Sequence, residues 1–261
     1  MRSRPVGFSL FFLALWVAEN AGYASEIKPT IVVALGMMPE QVLQRSTFPV
    51  KWSLNPIGQK QRRGGGTLVT APHRLIYEDA TLRLVLPDAG NHTSMPTAVM
   101  VAFDAINLVS ASVLGEYVSL GKAIESSRSL LAEVLAQGFE YAPHHPEKWQ
   151  GSKFVLARRN TGAPRTVGNF EEMGQVFLNS RYYLEEFLVF VLVKSDVRVS
   201  LHVTNMRRRF TESRISLSEP SKTIPERAAR EAENLDEAFL RNERAYYLQV
   251  SIVDRELRVP P

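Results

Sequence analysis

Val197-Arg198-Val199-Ser200-Leu201-His202-Val203-Thr204, framed by Asp196 and Met206, alternates apolar and polar residues without a break. Successive side chains of a strand point to opposite faces, so the three valines and Leu201 line one side and Arg198, Ser200, His202 and Thr204 the other. One apolar and one wet face is the signature of an antiparallel strand covered on one side only. The chain therefore contains a sheet whose apolar side needs cover from other elements.

Outward from that strand, further strands are expected over Thr30–Leu35, Arg74–Tyr77, Thr81–Leu86, Ala98–Phe103, Lys153–Arg159 and Gln175–Leu178. Tyr182–Val193 is rich in aromatic and β-branched residues, although Leu184-Glu185-Glu186 could equally open a helix. Tyr246, Leu248, Val250 and Ile252 supply a closing strand. Ala98–Phe103 is apolar throughout, which predicts cover on both faces. Pro49, Pro56 and Gly64-Gly65-Gly66 mark a loop or irregular edge.

Three helices cover these strands. Pro39 suits a first helical turn, where its missing N–H costs nothing, and predicts a helix over 39–46 with Val42 and Leu43 buried. A second spans about 115–137, with Tyr117, Leu120, Ile124, Leu131, Val134 and Leu135 near helical spacing, Gly138 as a left-handed cap, and Pro143 and Pro146 as a break. Thr223-Ile224-Pro225-Glu226 reads as a capping box opening a charged surface helix with the narrow stripe Ala228, Ala232, Leu235 and Phe239. The expected class is α+β: antiparallel sheets with a few packed helices. It divides into a helix-plus-sheet half at 25–114 and a second α+β half at 115–261, either separate or joined in one domain.

Residues 1–24 carry a different signal. Arg2 and Arg4 precede an apolar run from Val6 to Ala18, and Gly22-Tyr23-Ala24 stands before Ser25. This is the grammar of a secretory signal peptide cleaved after Ala24, and the run falls short of the ~20 residues of a spanning helix. The expected product is soluble and periplasmic or secreted. Without residues 1–24, 29 basic and 26 acidic residues remain, a formal +3, too weak for a nucleic-acid signature. With no cysteine, disulfides, thiolate metal sites, a cysteine nucleophile and a lipidated cysteine are all excluded.

Gly36-Met37-Met38-Pro39-Glu40-Gln41-Val42-Leu43, followed by Pro49, Tyr77 and paired strands, resembles the opening of the small outer-membrane SmpA/OmlA proteins, the BamE-like group. The resemblance covers about residues 30–110. Met38 stands where that pattern has a capping Ser or Thr, and Ser46 or Thr47 where it has a turn glycine. Leu120–Gln137 followed by Lys153–Met206 reads as a diverged repeat of the same helix-then-sheet unit. The resemblance implies an envelope module that binds another protein, and it brings no catalytic residues with it.

A search for chemistry finds no anchor. His144 and His145 are adjacent, so an extended backbone turns them to opposite sides; His73, His92 and His202 could join them only through the fold, and a zinc site needs three or four converging ligands. Gly64-Gly65-Gly66-Thr67 lacks the lysine and following helix of a phosphate loop. Arg207-Arg208-Arg209, Arg158-Arg159 and Lys60–Arg63 read as solvated strand ends, or as an anion site if they converge. Asn91-His92-Thr93 is a glycosylation sequon only in a eukaryotic source. No catalytic, cofactor-binding or metal-ligating residue is assigned, and no cofactor or nucleic-acid partner is expected. The leading expectation is a non-enzymatic protein-binding module of the cell envelope. The alternative is a periplasmic hydrolase or small-ligand binder with a site assembled from dispersed residues such as His144, His145, Glu147 and His202.

Overall fold

The computed structural model describes residues 28–56, 63–90, 96–102, 104–142, 154–157, 165–179, 186–218 and 224–254. The elements in chain order are β1 (Thr30–Val33), α1 (Pro39–Arg45), β2 (Ser53–Pro56), β3 (Arg63–Val69), β4 (His73–Glu78), β5 (Arg83–Ala89), β6 (Thr97–Ala102), β7 (Ala105–Ser112), α2 (Leu120–Ala136), β8 (Glu140–Tyr141), β9 (Phe154–Ala157), β10 (Arg165–Val167), α3 (Phe170–Asn179), β11 (Glu186–Lys194), β12 (Val197–Asn205), α4 (Arg207–Ser218), α5 (Ile224–Glu233), α6 (Glu237–Asn242) and β13 (Tyr246–Asp254). Residues 1–24, the sequon at Asn91, and His92, His144, His145, Glu147, Arg158 and Arg159 lie outside the described residues.

The fold is α+β, with two sheets. The larger runs β10-β9-β11-β12-β13-β7-β6-β3-β2, with β8 added to β11, and its pairs are antiparallel. The smaller runs β1-β4-β5, with β1 parallel to β4. β12 occupies the interior of the large sheet, and the alternation that predicted it is observed: Val197, Val199, Leu201 and Val203 are buried, while the residues between them are half-buried on the other face. β13 inserts between β12 and β7, setting Ile252 opposite both Val199 and Val109. The stretches 25–114 and 115–261 therefore share one sheet.

One side of that sheet faces the core, where Val99, Val109, Leu248, Val250, Leu201, Val203, Phe187 and Leu192 are buried. α2 lies across it against β11 and β13, and also contacts α3 and α6. Ser119 caps its start and Gly138, at φ +82°, closes its end, donating its N–H to the Leu135 carbonyl. Lys194 reaches the same helix end from β11, with Nζ 2.6 Å from the Gln137 carbonyl, where a cation complements the helix dipole. No helix among the described residues is long and apolar enough to cross a membrane.

Several local expectations are corrected. Gln175–Leu178 belongs to helix α3, not to a strand: Asn169 accepts from the Glu172 N–H at 2.8 Å, while Glu172 accepts from the Gly168 N–H at 2.7 Å. This reciprocal cap opens a helix that buries Phe170, Met173 and Phe177 at helical spacing. Gly64-Gly65-Gly66 lies in strand β3 between β2 and β6, not in a loop. Ala98–Ala102 is covered on one face only, and Met100 is exposed on the other. On α1 Val42 is buried but Leu43 is exposed. α2 begins at Leu120; of the expected stripe Leu120 and Val134 are buried and Ile124, Leu131 and Leu135 pack partly buried against the core, while Ala123, Ser127 and Leu130 widen the buried face beyond it. The charged C-terminal helix is two helices, α5 and α6, broken before Asp236, which caps α6 through the Phe239 N–H; Phe239 itself is exposed.

Candidate functional site

The second face of the large sheet is where function can reside, because residues directly opposite in the register share a face. Leu188, His202 and Gln249 form one row across β11, β12 and β13. Ser200, Ser251 and Ser110 form the next, continuing into Ala98 and Leu68. Arg198, Val253, Leu108, Met100 and Gly66 form the third. The face is thus polar over β12 and β13 and apolar toward β6 and β3. α4 closes its far end, where Phe210 packs edge-on to Tyr117 at 5.0 Å and Tyr117 meets the buried Tyr247. Burial there pushes the Tyr247 hydroxyl pKa up to about 12.

At the apolar end, Leu68 is 68% exposed and Met100 42% exposed. They sit diagonally, since Leu68 opposes Ala98 and Met100 opposes Gly66. Both border a cleft of about 970 Å³ lined along one side by Gly65–Ala71 and along the other by Phe48, Pro49, Lys51 and Ser53. The start of the second wall is tied to β1: Thr47 and Phe48 both donate their N–H to the Thr30 carbonyl, at 2.9 and 3.1 Å, and Thr30 N–H donates to Thr47 Oγ1 at 2.8 Å. Those bonds hold Phe48 away from β3, and the wall rejoins β3 only at Ser53, opposite Gly66, which leaves the cleft between. Gly66 contributes by close approach, because a Cβ there would fall 2.6 Å from the Val99 carbonyl oxygen.

His73 borders the cleft through its neighbour Ala71 and its ring contact with Phe48 at 5.4 Å. It is fully buried. Nδ1 lies 2.8 Å from the Ala71 carbonyl, an acceptor, so Nδ1 carries the proton and Nε2 is left buried with no hydrogen-bond partner among the described residues. Burial lowers the His73 pKa below 6.5, and the bond to Ala71 opposes this only in part. The unfolded chain then takes up the proton first as pH falls. Stability is therefore complete above about pH 6.5 and declines as pH drops from there toward the depressed folded value. Urea midpoints should fall between about pH 7.5 and pH 5 in the wild-type protein, and fall less in His73→Leu; an equal decline in both would contradict the assignment.

On the polar part of the face, His202 Nδ1 lies 2.5 Å from Glu186 Oε1, so Nδ1–H donates to the carboxylate, which orients the ring. Beside it, Gln249 Nε2 donates to Ser110 Oγ at 2.6 Å, and Ser110 Oγ lies 2.9 Å from Ser251 Oγ.

The histidines singled out in the sequence are not brought together: His73 lies in the small sheet and His202 in the large one, and His92, His144 and His145 fall outside the described residues. Among the described residues no three or more His, Asp or Glu side chains gather as a metal site. The arginine run at 207–209 also divides. Arg207 is buried and bonded to Glu243, Arg208 pairs with Glu212 at 3.0 Å, and Arg209 is exposed. Sequence reasoning missed Leu68, Met100, Phe48 and Lys51, which no motif marks. Compared with family models, curated proteins and solved structures, the chain matches none.

Proposed function

We propose that this chain is an exported, non-enzymatic protein-binding module of the cell envelope, and that it binds through the apolar end of its open sheet face. The observation that carries this reading is the exposed pair Leu68 and Met100 on the rim of a cleft of about 970 Å³. Single exposed apolar residues are ordinary, but two large ones adjoining a concave surface are a recognition feature. Export is supported by the signal pattern of residues 1–24, and protein binding by the partial BamE-like pattern of residues 30–110.

The test is capture from envelope extracts with tagged wild-type protein and the double variant Leu68→Glu/Met100→Glu. A specific partner retained by the wild type should drop at least about tenfold in the variant, since each introduced carboxylate must be desolvated or exclude the partner. Both side chains are exposed, so the variant keeps the wild-type unfolding midpoint. Equal capture by both proteins, or no partner together with substrate turnover by the purified chain, would sink the reading.

A second reading, hydrolase or small-ligand binder, is favoured by one observation, the Glu186–His202 pair beside the Gln249–Ser110–Ser251 hydroxyl network. A carboxylate-oriented imidazole is the arrangement of a general base. Turnover of a chromogenic ester or phosphoester that His202→Gln abolishes would establish it; no turnover, or turnover indifferent to that change, discards it.

A further inference from the structure

We infer that the cleft receives an extended segment of the partner protein, which adds to the large sheet as a strand alongside β3. The inference rests on the protein-binding reading above and specifies the form and chemistry of the partner.

The register carries the argument. β2 pairs with β3 only from Ser53 opposite Gly66 to Pro56 opposite Arg63, whereas β6 pairs with β3 from Gly64 to Val69. Thr67, Leu68 and Val69 therefore have a strand on one side and the cleft on the other. An antiparallel strand sends its N–H and C=O groups alternately to its two sides, so part of the backbone over 67–69 is aimed into the cleft. Such a flank is a template for another strand. The facing wall cannot take that place. It is pinned to Thr30 by the Thr47 and Phe48 amides, and Pro49 within it has no N–H to offer.

The cleft also fits a strand in length and chemistry. Thr67–Val69 offers about 10 Å of strand flank, enough to pair a short strand. Leu68 and Met100 offer apolar contact to alternate side chains of the incoming segment, and the flexible thioether of Met100 tolerates variety there. Lys51 is exposed on the lining, with no ion pair among the described residues. The occupant is thus an extended peptide alternating apolar residues on one side, with an acidic residue placed for Lys51.

Purified protein should select, from a displayed library of random twelve-residue peptides, sequences with apolar residues at i and i+2 and an Asp or Glu beside them. Synthetic copies of a selected peptide, methylated on single backbone nitrogens, should lose at least about tenfold in affinity at every second position and little at those between, because only one set donates to β3. Lys51→Glu should weaken the same peptide several-fold. No peptide selected, a consensus at helical spacing, or N-methylation without effect at either set of positions would overturn strand addition. If N-methylation has no effect while Leu68→Glu/Met100→Glu still loses the envelope partner, strand addition alone fails. If capture ignores the cleft, the protein-binding reading fails with it.

Discussion

Replacing Arg207 with alanine is expected to lower the unfolding free energy by about 3 kcal/mol and the melting temperature by roughly 6–12 °C. Arg207 follows β12 and opens α4, and only 1% of it reaches solvent. Its Nε donates to Glu243 Oε2 at 2.6 Å, Nη2 donates to the Tyr246 hydroxyl at 3.3 Å, and its backbone N–H donates to Asn205 Oδ1 at 2.9 Å. Truncation leaves the half-buried Glu243 carboxylate without this cation and removes a donor from Tyr246, whose hydroxyl pKa is raised by burial and held back by the Arg207 charge. Breaking a buried pair by deleting one partner is costly because the other charge stays behind. Arg207→Met, which keeps the volume, should recover part of the loss. Arg208→Ala is the control: its pair with Glu212 is a partly exposed i,i+4 contact and should matter by about 1 kcal/mol or less. Equal urea midpoints for Arg207→Ala and Arg208→Ala would refute this account of the β12–α4 junction.

Gly66→Ala should cost about 2–3 kcal/mol, a value typical of overpacking a closely fitted site. The new Cβ would meet the Val99 carbonyl oxygen at 2.6 Å, Met100 Sδ at 2.9 Å and Met100 Cα at 3.3 Å. The thioether can swing aside, but a carbonyl and a Cα move only if β3 separates from β6. That displacement also shifts Leu68 against Met100, so partner capture should fall along with stability. Gly121→Ala sets the baseline. It adds a Cβ in the first turn of α2 with nothing within 4 Å, and should leave the urea midpoint unchanged or slightly raised. Wild-type stability in Gly66→Ala would mean that β3 and β6 are not held as closely as the registers place them.

The parts of the fold that were legible in the sequence are those whose environment is set by near neighbours. β12 alternates cleanly because one of its faces is buried in the core and the other only half-covered, and Gly138 is readable as a cap because its left-handed backbone is a local demand. Val176, Phe177 and Leu178 of α3 carry strand propensity, whereas the deciding signal is the cap at Asn169 and Glu172, upstream of that run. The helical phase of α2 is chosen by the sheet beneath it, and sequence periodicity alone could not separate Leu130 from Leu131. The glycine run could not be placed without Met100, thirty-four residues beyond Gly66 and directly opposite it. The alternation places His202 on the polar face, but its partner Glu186 comes from the neighbouring strand and is out of reach of that pattern. Least legible was the cleft. It exists because Thr47 and Phe48 bond to Thr30 while Ser53 pairs with Gly66, so the chain between them is drawn from one sheet to the other.

The central claim is that a partner protein contacts the apolar end of the open sheet face, and photo-crosslinking tests it most directly. A benzophenone amino acid is placed at residue 68, on the cleft, or at residue 227, exposed on α5. Each protein is irradiated in envelope extract. The account predicts a discrete crosslinked species from position 68, absent from position 227 and lost when Met100→Glu is added. No crosslink at position 68, or the same species from both positions, would contradict it.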